Sequence, residues 1–287
     1  MNYFMNHKKK TAFDELISAH CDDKHIGHGE HWRIFFDDLD ELTRMLPLIG
    51  EAAQPLMTCA DDENSCPLPF SEDEPVADLV AWPNTERGMI QLHVRHRQTN
   101  ESSIASAYPW VSDGVTHMAK IEGIRLWPDR LEALIDARIG DGMAVTFFDP
   151  LFIKNRVFYR KGGFYPMVFS GIAYDFRVYD LDAEQQEFSV DLQKNKTCRL
   201  IREENVLDNY VFIGEVVDTK TVRFFDEPVS LVRVTIGQMV LPFNETVDID
   251  MIVTDGALGF SRSPDVGDIV YGRIWLMAYL RAPKIGS

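Results

Sequence analysis

No apolar run in this 287-residue chain reaches the roughly 18 residues that span a bilayer, so no membrane partner is expected. The opening MNYFMNHKKK is followed by TAFDELISAH, which carries acids where a secretory signal carries an apolar stretch. The compartment expected from this is the cytoplasm. Cysteine is scarce. The four present, Cys21, Cys59, Cys66 and Cys198, are too few and too far apart for a disulfide framework and read as free thiols. Also missing are C-x-x-C, H-E-x-x-H and a glycine-rich phosphate loop; Gly140-Asp141-Gly142 lacks the following helix that such a loop needs.

Positive charge is in short supply. Lys and Arg number 29 against 45 Asp and Glu, for a net charge of −16. Such a chain repels nucleic-acid phosphates at long range, which argues against a dedicated duplex-DNA binder. The acidity is uneven, however. Residues 1–80 hold 17 Asp and Glu against 6 Lys and Arg, whereas residues 120–180 hold 8 against 9.

What is present is an ordinary globular composition, 45% hydrophobic and 26% charged, enough for a sizeable core. The spacing of Phe13, Leu16 and Ile17 predicts a short amphipathic helix over Thr11–His20. Trp32–Phe36 reads as a short strand. Asp37 or Asp38 can cap a helix over Leu39–Leu56, with a kink or break at Pro47 and Gly50. The acidic, proline-rich stretch 58–75 reads as a surface loop. Val76–Trp82 and Met89–Arg97 read as strands, and the Ser- and Ala-rich stretch 99–114 as a domain boundary.

Beyond His117 the pattern is dominantly β. Leu131–Ile139 alternates, Asp141-Gly142 is a hairpin signal, and Met143–Phe148 and Tyr165–Tyr179 are strands flanking an aromatic and cationic segment. Gly171 marks a bend or bulge in the second of these. A polar stretch follows, and then candidate strands at Val211–Thr219, Thr221–Phe225, Val229–Ile236, Val247–Val253 and Ile269–Leu280. Two stretches share a grammar: Gly163 to Tyr174 and Gly267 to Tyr279 each open on glycine and end a long apolar strand in Ala-Tyr.

The C-terminal part, with its long first strand, short helical segment and Pro264-Asp265-Val266-Gly267-Asp268 entry to a last strand, resembles an OB-fold barrel over residues 209–281. Residues 117–180 resemble one more loosely. The end Trp275–Leu280 also looks like the ends of uncharacterised bacterial proteins of similar layout. The expected fold is therefore α+β and mostly β. It comprises an acidic α/β N-terminal region (1–115), a central OB-like antiparallel β-barrel (116–180), a polar linker (181–208) and a C-terminal OB-like barrel (209–287). What the resemblance implies is binding more than chemistry.

Three places offer chemistry. His20, Cys21, His25, His28 and His31 bring imidazole and thiol groups within twelve residues, as zinc would require, although Gly27 and Gly29 weaken a helix there. The bland alternative is a polar loop. The run Phe152, Lys154, Arg156, Phe158, Tyr159, Arg160, Lys161 combines rings that stack on bases with cations that meet phosphates. Its alternative is rings in the core with cations outside. Asp149, after Phe147 and Phe148, is either a buried acid or a strand-ending Asp-Pro turn. With no catalytic set in evidence, the sequence points to a binding or scaffold protein acting on a protein partner or by self-association. No cofactor is required unless the His/Cys cluster holds zinc. A single-stranded nucleic-acid binder and a metal-dependent enzyme are the alternatives.

Overall fold

The computed structural model describes residues 16–20, 28–57, 76–95, 101–140, 142–179, 199–204, 206–225, 227–238 and 246–281. In chain order the elements are β1 (Ile17–His20), α1 (Gly29–Trp32), α2 (Leu39–Ala52), β2 (Gln54–Met57), β3 (Val76–Pro83), β4 (Arg87–Arg95), β5 (Ser102–Val111), β6 (Val115–Leu126), β7 (Ala133–Ile139), β8 (Met143–Phe148), α3 (Phe152–Asn155), β9 (Phe164–Val178), β10 (Arg199–Arg202), β11 (Asn209–Phe224), β12 (Glu227–Gln238), β13 (Thr246–Val253), α4 (Asp255–Leu258) and β14 (Ile269–Leu280). The protein is mostly β. Strands β2 to β5 form a four-stranded antiparallel sheet, and the other ten form one mixed sheet in the order β1-β6-β7-β8-β14-β9-β13-β12-β11-β10. No described helix is long and apolar enough to cross a membrane.

The two OB-like barrels do not form. The two glycine-opened strands that were to found separate cylinders, β9 and β14, pair with each other instead, antiparallel from Val270↔Val178 to Leu280↔Met167. Pairing does run in a ring from β9 through β13, β12, β11 and β14 back to β9. Yet β9 also bonds β6, and β14 touches β8, so the ring is part of one large sheet and is not a barrel. The edges that would have closed each cylinder are spent joining the halves. One apolar cluster therefore runs through both halves, with Ile121, Ile135 and Phe147 in the same core as Phe212, Val234 and Ile249.

Contact between β9 and β14 is tight. A Cβ on Gly272 would lie 1.9 Å from the Asp175 carbonyl oxygen, so only glycine fits there. The register slips beside it, with Arg273 opposite Asp175 but Ile274 opposite Ala173. The extra residue is Tyr174, so the bulge expected at Gly171 lies three residues later and re-aims a tyrosine.

Local departures have tertiary causes. Residues 11–15 of the expected first helix lie outside the described residues, and its end is the strand β1. Leu16 is buried in the core and accepts the Ile124 N–H at 3.0 Å, so pairing with β6 overrides local helix preference. Trp32–Phe36 is not a strand: Trp32 closes α1, and its carbonyl accepts from Phe35 and Phe36. Helix α2 starts as expected, with the Asp38 carboxylate accepting the Asp40 N–H at 2.8 Å, and it continues through Pro47. The expected domain boundary is instead occupied by β5, bonded to β4, with residues 99 and 100 outside the described residues. The acidic stretch 58–75 lies outside the described residues.

Candidate functional site

Two very different places gather functional side chains. The first is a closed polar centre where α1 meets both sheets. His28 and His31, three residues apart, turn inward from the start of α1 and are 5% and 8% exposed. Glu132, just before β7, is equally buried; its carboxyl lies 3.0 Å from His28 Nε2 and accepts the Ser106 hydroxyl at 3.1 Å. The His28 ring stacks on Trp127 at 5.1 Å, with Phe148 edge-on at 4.7 Å. The His31 ring lies flat on Trp275, centroids 3.8 Å apart and planes 6° from parallel. Trp275 in turn donates its indole N–H to Asp208 at 2.7 Å.

His31 Nδ1 meets the hydroxyl of Tyr174, the bulged residue of β9, and that hydroxyl lies 3.4 Å from Asn209 Oδ1. Both contacts are satisfied when Nδ1–H donates to the tyrosine oxygen and its O–H donates to Asn209.

Burial sets the protonation here. Desolvation lowers the His28 pKa to about 3, against a smaller opposing pull from Asp129, and raises Glu132 to about 8. His31 is pushed well below its usual value by burial and then by His28. Both shifts favour neutral forms, so the His28–Glu132 contact is a hydrogen bond between neutral groups and not an ion pair. His28 Nδ1 has no hydrogen-bond partner among the described residues.

The structure thus brings two of the five predicted metal ligands, His28 and His31, together. Cys21, His25 and the His20 side chain lie outside the described residues. Among the described residues no three His, Cys, Asp or Glu are placed to hold a metal ion. His28 Nε2 and His31 Nδ1 are already engaged. Sequence reasoning missed Glu132, Ser106 and Tyr174, which come from distant strands. The one local signal was a charged Glu132 beside the apolar Leu131, Ala133 and Leu134.

The second place is the aromatic and cationic run, which divides by helical spacing. Phe152, Arg156 and Tyr159 face inward and are almost wholly buried. Lys154, Phe158, Arg160 and Lys161 face outward. The inner half is fastened by Asp149, which accepts from Tyr159 at 2.6 Å, from the Asn155 amide at 3.2 Å and from the Leu151 N–H at 2.9 Å. Asp149 is both things the sequence allowed: it starts the α3 turn, and burial raises its pKa to about 7. Arg156 donates to the Arg130 carbonyl at 3.3 Å, inside the protein.

Phe158 outside this anchor is 57% exposed. Beside it the outer face of the β6–β9 pair presents Phe164 at 63% and Met118 at 52% exposure. Register places Phe164, Met118 and Lys120 on one face, Lys120 opposite Phe164 and Met118 opposite Pro166, while Tyr165 on the other face of β9 donates its hydroxyl to the Phe158 carbonyl at 2.7 Å. The Lys120 ammonium stands 5.9 Å from the Phe164 ring centre. Phe164, Met118 and Lys120 thus share one face, and the segment leading into β9 exposes Lys154, Phe158, Arg160 and Lys161. Met118 and Lys120 were not legible as part of this surface, because only the strand register brings them there.

Comparison with protein-family models, curated proteins and solved structures finds no match to this chain.

Proposed function

We propose that this is a binding protein whose ligand is a single-stranded nucleic acid, held on the open β6–β9 face. The observation that carries the reading is exposed Phe164 with Lys120 over its ring, next in sequence to a segment that exposes Phe158, Lys154, Arg160 and Lys161. Exposed rings among cations suit stacked bases with phosphates alongside; each stacked base contributes about 1–3 kcal/mol. The acidity of the chain as a whole counts less than it would for a duplex binder, since residues 120–180 hold 9 Lys and Arg against 8 Asp and Glu and more distant charges are screened. Arg156 has no place in this face, because it is buried.

Fluorescence anisotropy with a labelled oligonucleotide of about 15 nucleotides, at about 50 mM salt, tests the reading. Binding should weaken with log-log salt slope of about −2 to −3, as four cations against single-stranded phosphates require. It should fall at least about tenfold in Phe158→Ala/Phe164→Ala with the melting temperature unchanged. No binding at low salt, or equal binding by the double variant, sinks the proposal. Retention of the wild type alone on anionic vesicles, or a Phe-dependent self-association, would assign the face to a membrane or to a second copy instead.

A further inference from the structure

A polar groove of about 460 Å³ lies on the outer face of β6, β7 and β8, roofed from the side by β1 and β10. Its floor is one cross-strand row, Gly123↔Asp136↔Thr146. Gly123 leaves the space open; a Cβ there would lie 2.7 Å from the Ser18 hydroxyl oxygen. The acids in the groove are already compensated. Asp136 accepts the Arg125 Nε–H at 3.0 Å and the Thr146 hydroxyl at 2.8 Å. Glu122 accepts from Arg138 at 2.6 Å. Arg202 on the rim is exposed and has no hydrogen-bond or ion-pair partner among the described residues. The carboxylates keep acceptor capacity for hydroxyl groups, and Arg202 keeps donors for an anion. A volume of this size lies within the ordinary range of small-ligand sites, about 300–1,000 Å³.

We infer that this groove is a second ligand site, taking a phosphorylated, sugar-bearing group of mononucleotide size with its phosphate on Arg202 and its hydroxyls toward Asp136 and Glu122. That chemistry has two sources: a free nucleoside monophosphate, or the phosphorylated end of a strand on the Phe158/Phe164 face. Only the second source rests on the function proposed above. Cross-strand register makes them neighbours, since Lys120 on that face lies opposite Arg138, which holds Glu122.

The test is calorimetry on the full chain with a nucleoside 5′-monophosphate, the parent nucleoside and inorganic phosphate. Anisotropy with 5′-phosphorylated and 5′-hydroxyl oligonucleotides runs beside it. Arg202→Glu changes an exposed side chain and leaves the fold intact. The inference requires that the monophosphate or the 5′-phosphorylated strand bind at least about tenfold better than its unphosphorylated form, and that Arg202→Glu erase the difference. Preference for the monophosphate identifies a free metabolite, and preference confined to the strand identifies a strand end. A groove that binds the monophosphate while no oligonucleotide binds overturns the Phe158/Phe164 reading and upholds this one. Inorganic phosphate binding as tightly as the monophosphate, or no phosphate preference in either experiment, overturns it.

Discussion

The His28/His31 centre and the Phe158/Phe164 face invert the usual arrangement of a protein. The first puts five polar side chains where apolar ones belong; the second leaves two phenylalanines and a methionine in water. Their difference separates two signals that are often read as one. Strongly shifted ionisation marks the centre, and there its cause is burial: His28 and Glu132 depart from their usual values because water is excluded. The open face is marked instead by apolar side chains left in water, Phe164 and Met118. At His28 and Glu132 perturbed ionisation accompanies the fastening of α1 to the sheets, whereas exposed apolar area is what the proposed binding face rests on.

That division can be broken most directly at His28. His28→Ala removes a ring packed among Trp127, Phe148 and Trp275 and leaves Glu132 without its partner. Chemical denaturation should show a loss of about 3–5 kcal/mol, with ligand affinity of the folded fraction unchanged. Loss of affinity without loss of stability would make the centre, not the open face, the functional site.

Acidity offers the next test. Above about pH 6.5 the unfolded histidines and carboxyls have lost their protons while folded Glu132 and Asp149, raised to about 8 and about 7, still hold theirs. The native state then binds more protons, so stability falls as pH rises from 6.5 to 8. Below the ordinary carboxyl range, near pH 4, the imbalance reverses: the unfolded histidines are charged while His28, lowered to about 3, is not, and stability falls as pH drops. Each limb should span a few kcal/mol. Glu132→Gln keeps the hydrogen bond but does not titrate, so its melting temperature should decline less between pH 6.5 and 8 than that of the wild type.

On the open face the sign is opposite. Phe158→Ala/Phe164→Ala should lower oligonucleotide affinity by about 10–100-fold, near 1.4–2.8 kcal/mol, while denaturation midpoints move by less than about 0.5 kcal/mol. A smaller effect sharpens the reading of the bulge. Tyr174→Phe removes one hydroxyl shared by His31 and Asn209 and should cost about 1–2 kcal/mol, read by denaturant titration, with binding untouched.

Much of this was legible locally. The alternation in Leu131–Ile139, the Asp38 cap and the run Met143–Phe148 each predicted its element within a few residues. What was not legible depends on pairing between distant segments. The repeat that ends at Tyr174 and Tyr279 was visible, but sequence gives no sign of whether two such strands build two cylinders or lie side by side. Nothing in the stretch around His28 names Glu132 or Ser106 as its neighbours. Within the aromatic run, Phe152, Arg156 and Tyr159 stand four and three residues apart, but what holds that set inward is contact with residues outside it, such as Tyr159 with Asp149.

The position of β14 has a consequence for biosynthesis. Ile269–Leu280 is the last strand to leave the ribosome among those described, yet it lies between β8 and β9 and also bonds β11. Until it emerges, β9 can already pair with β6 and β13, but the edges of β9 and β11 that β14 covers stay open. A chain stopped before residue 269 should therefore expose those strand edges and aggregate more readily than one that includes β14, read by light scattering.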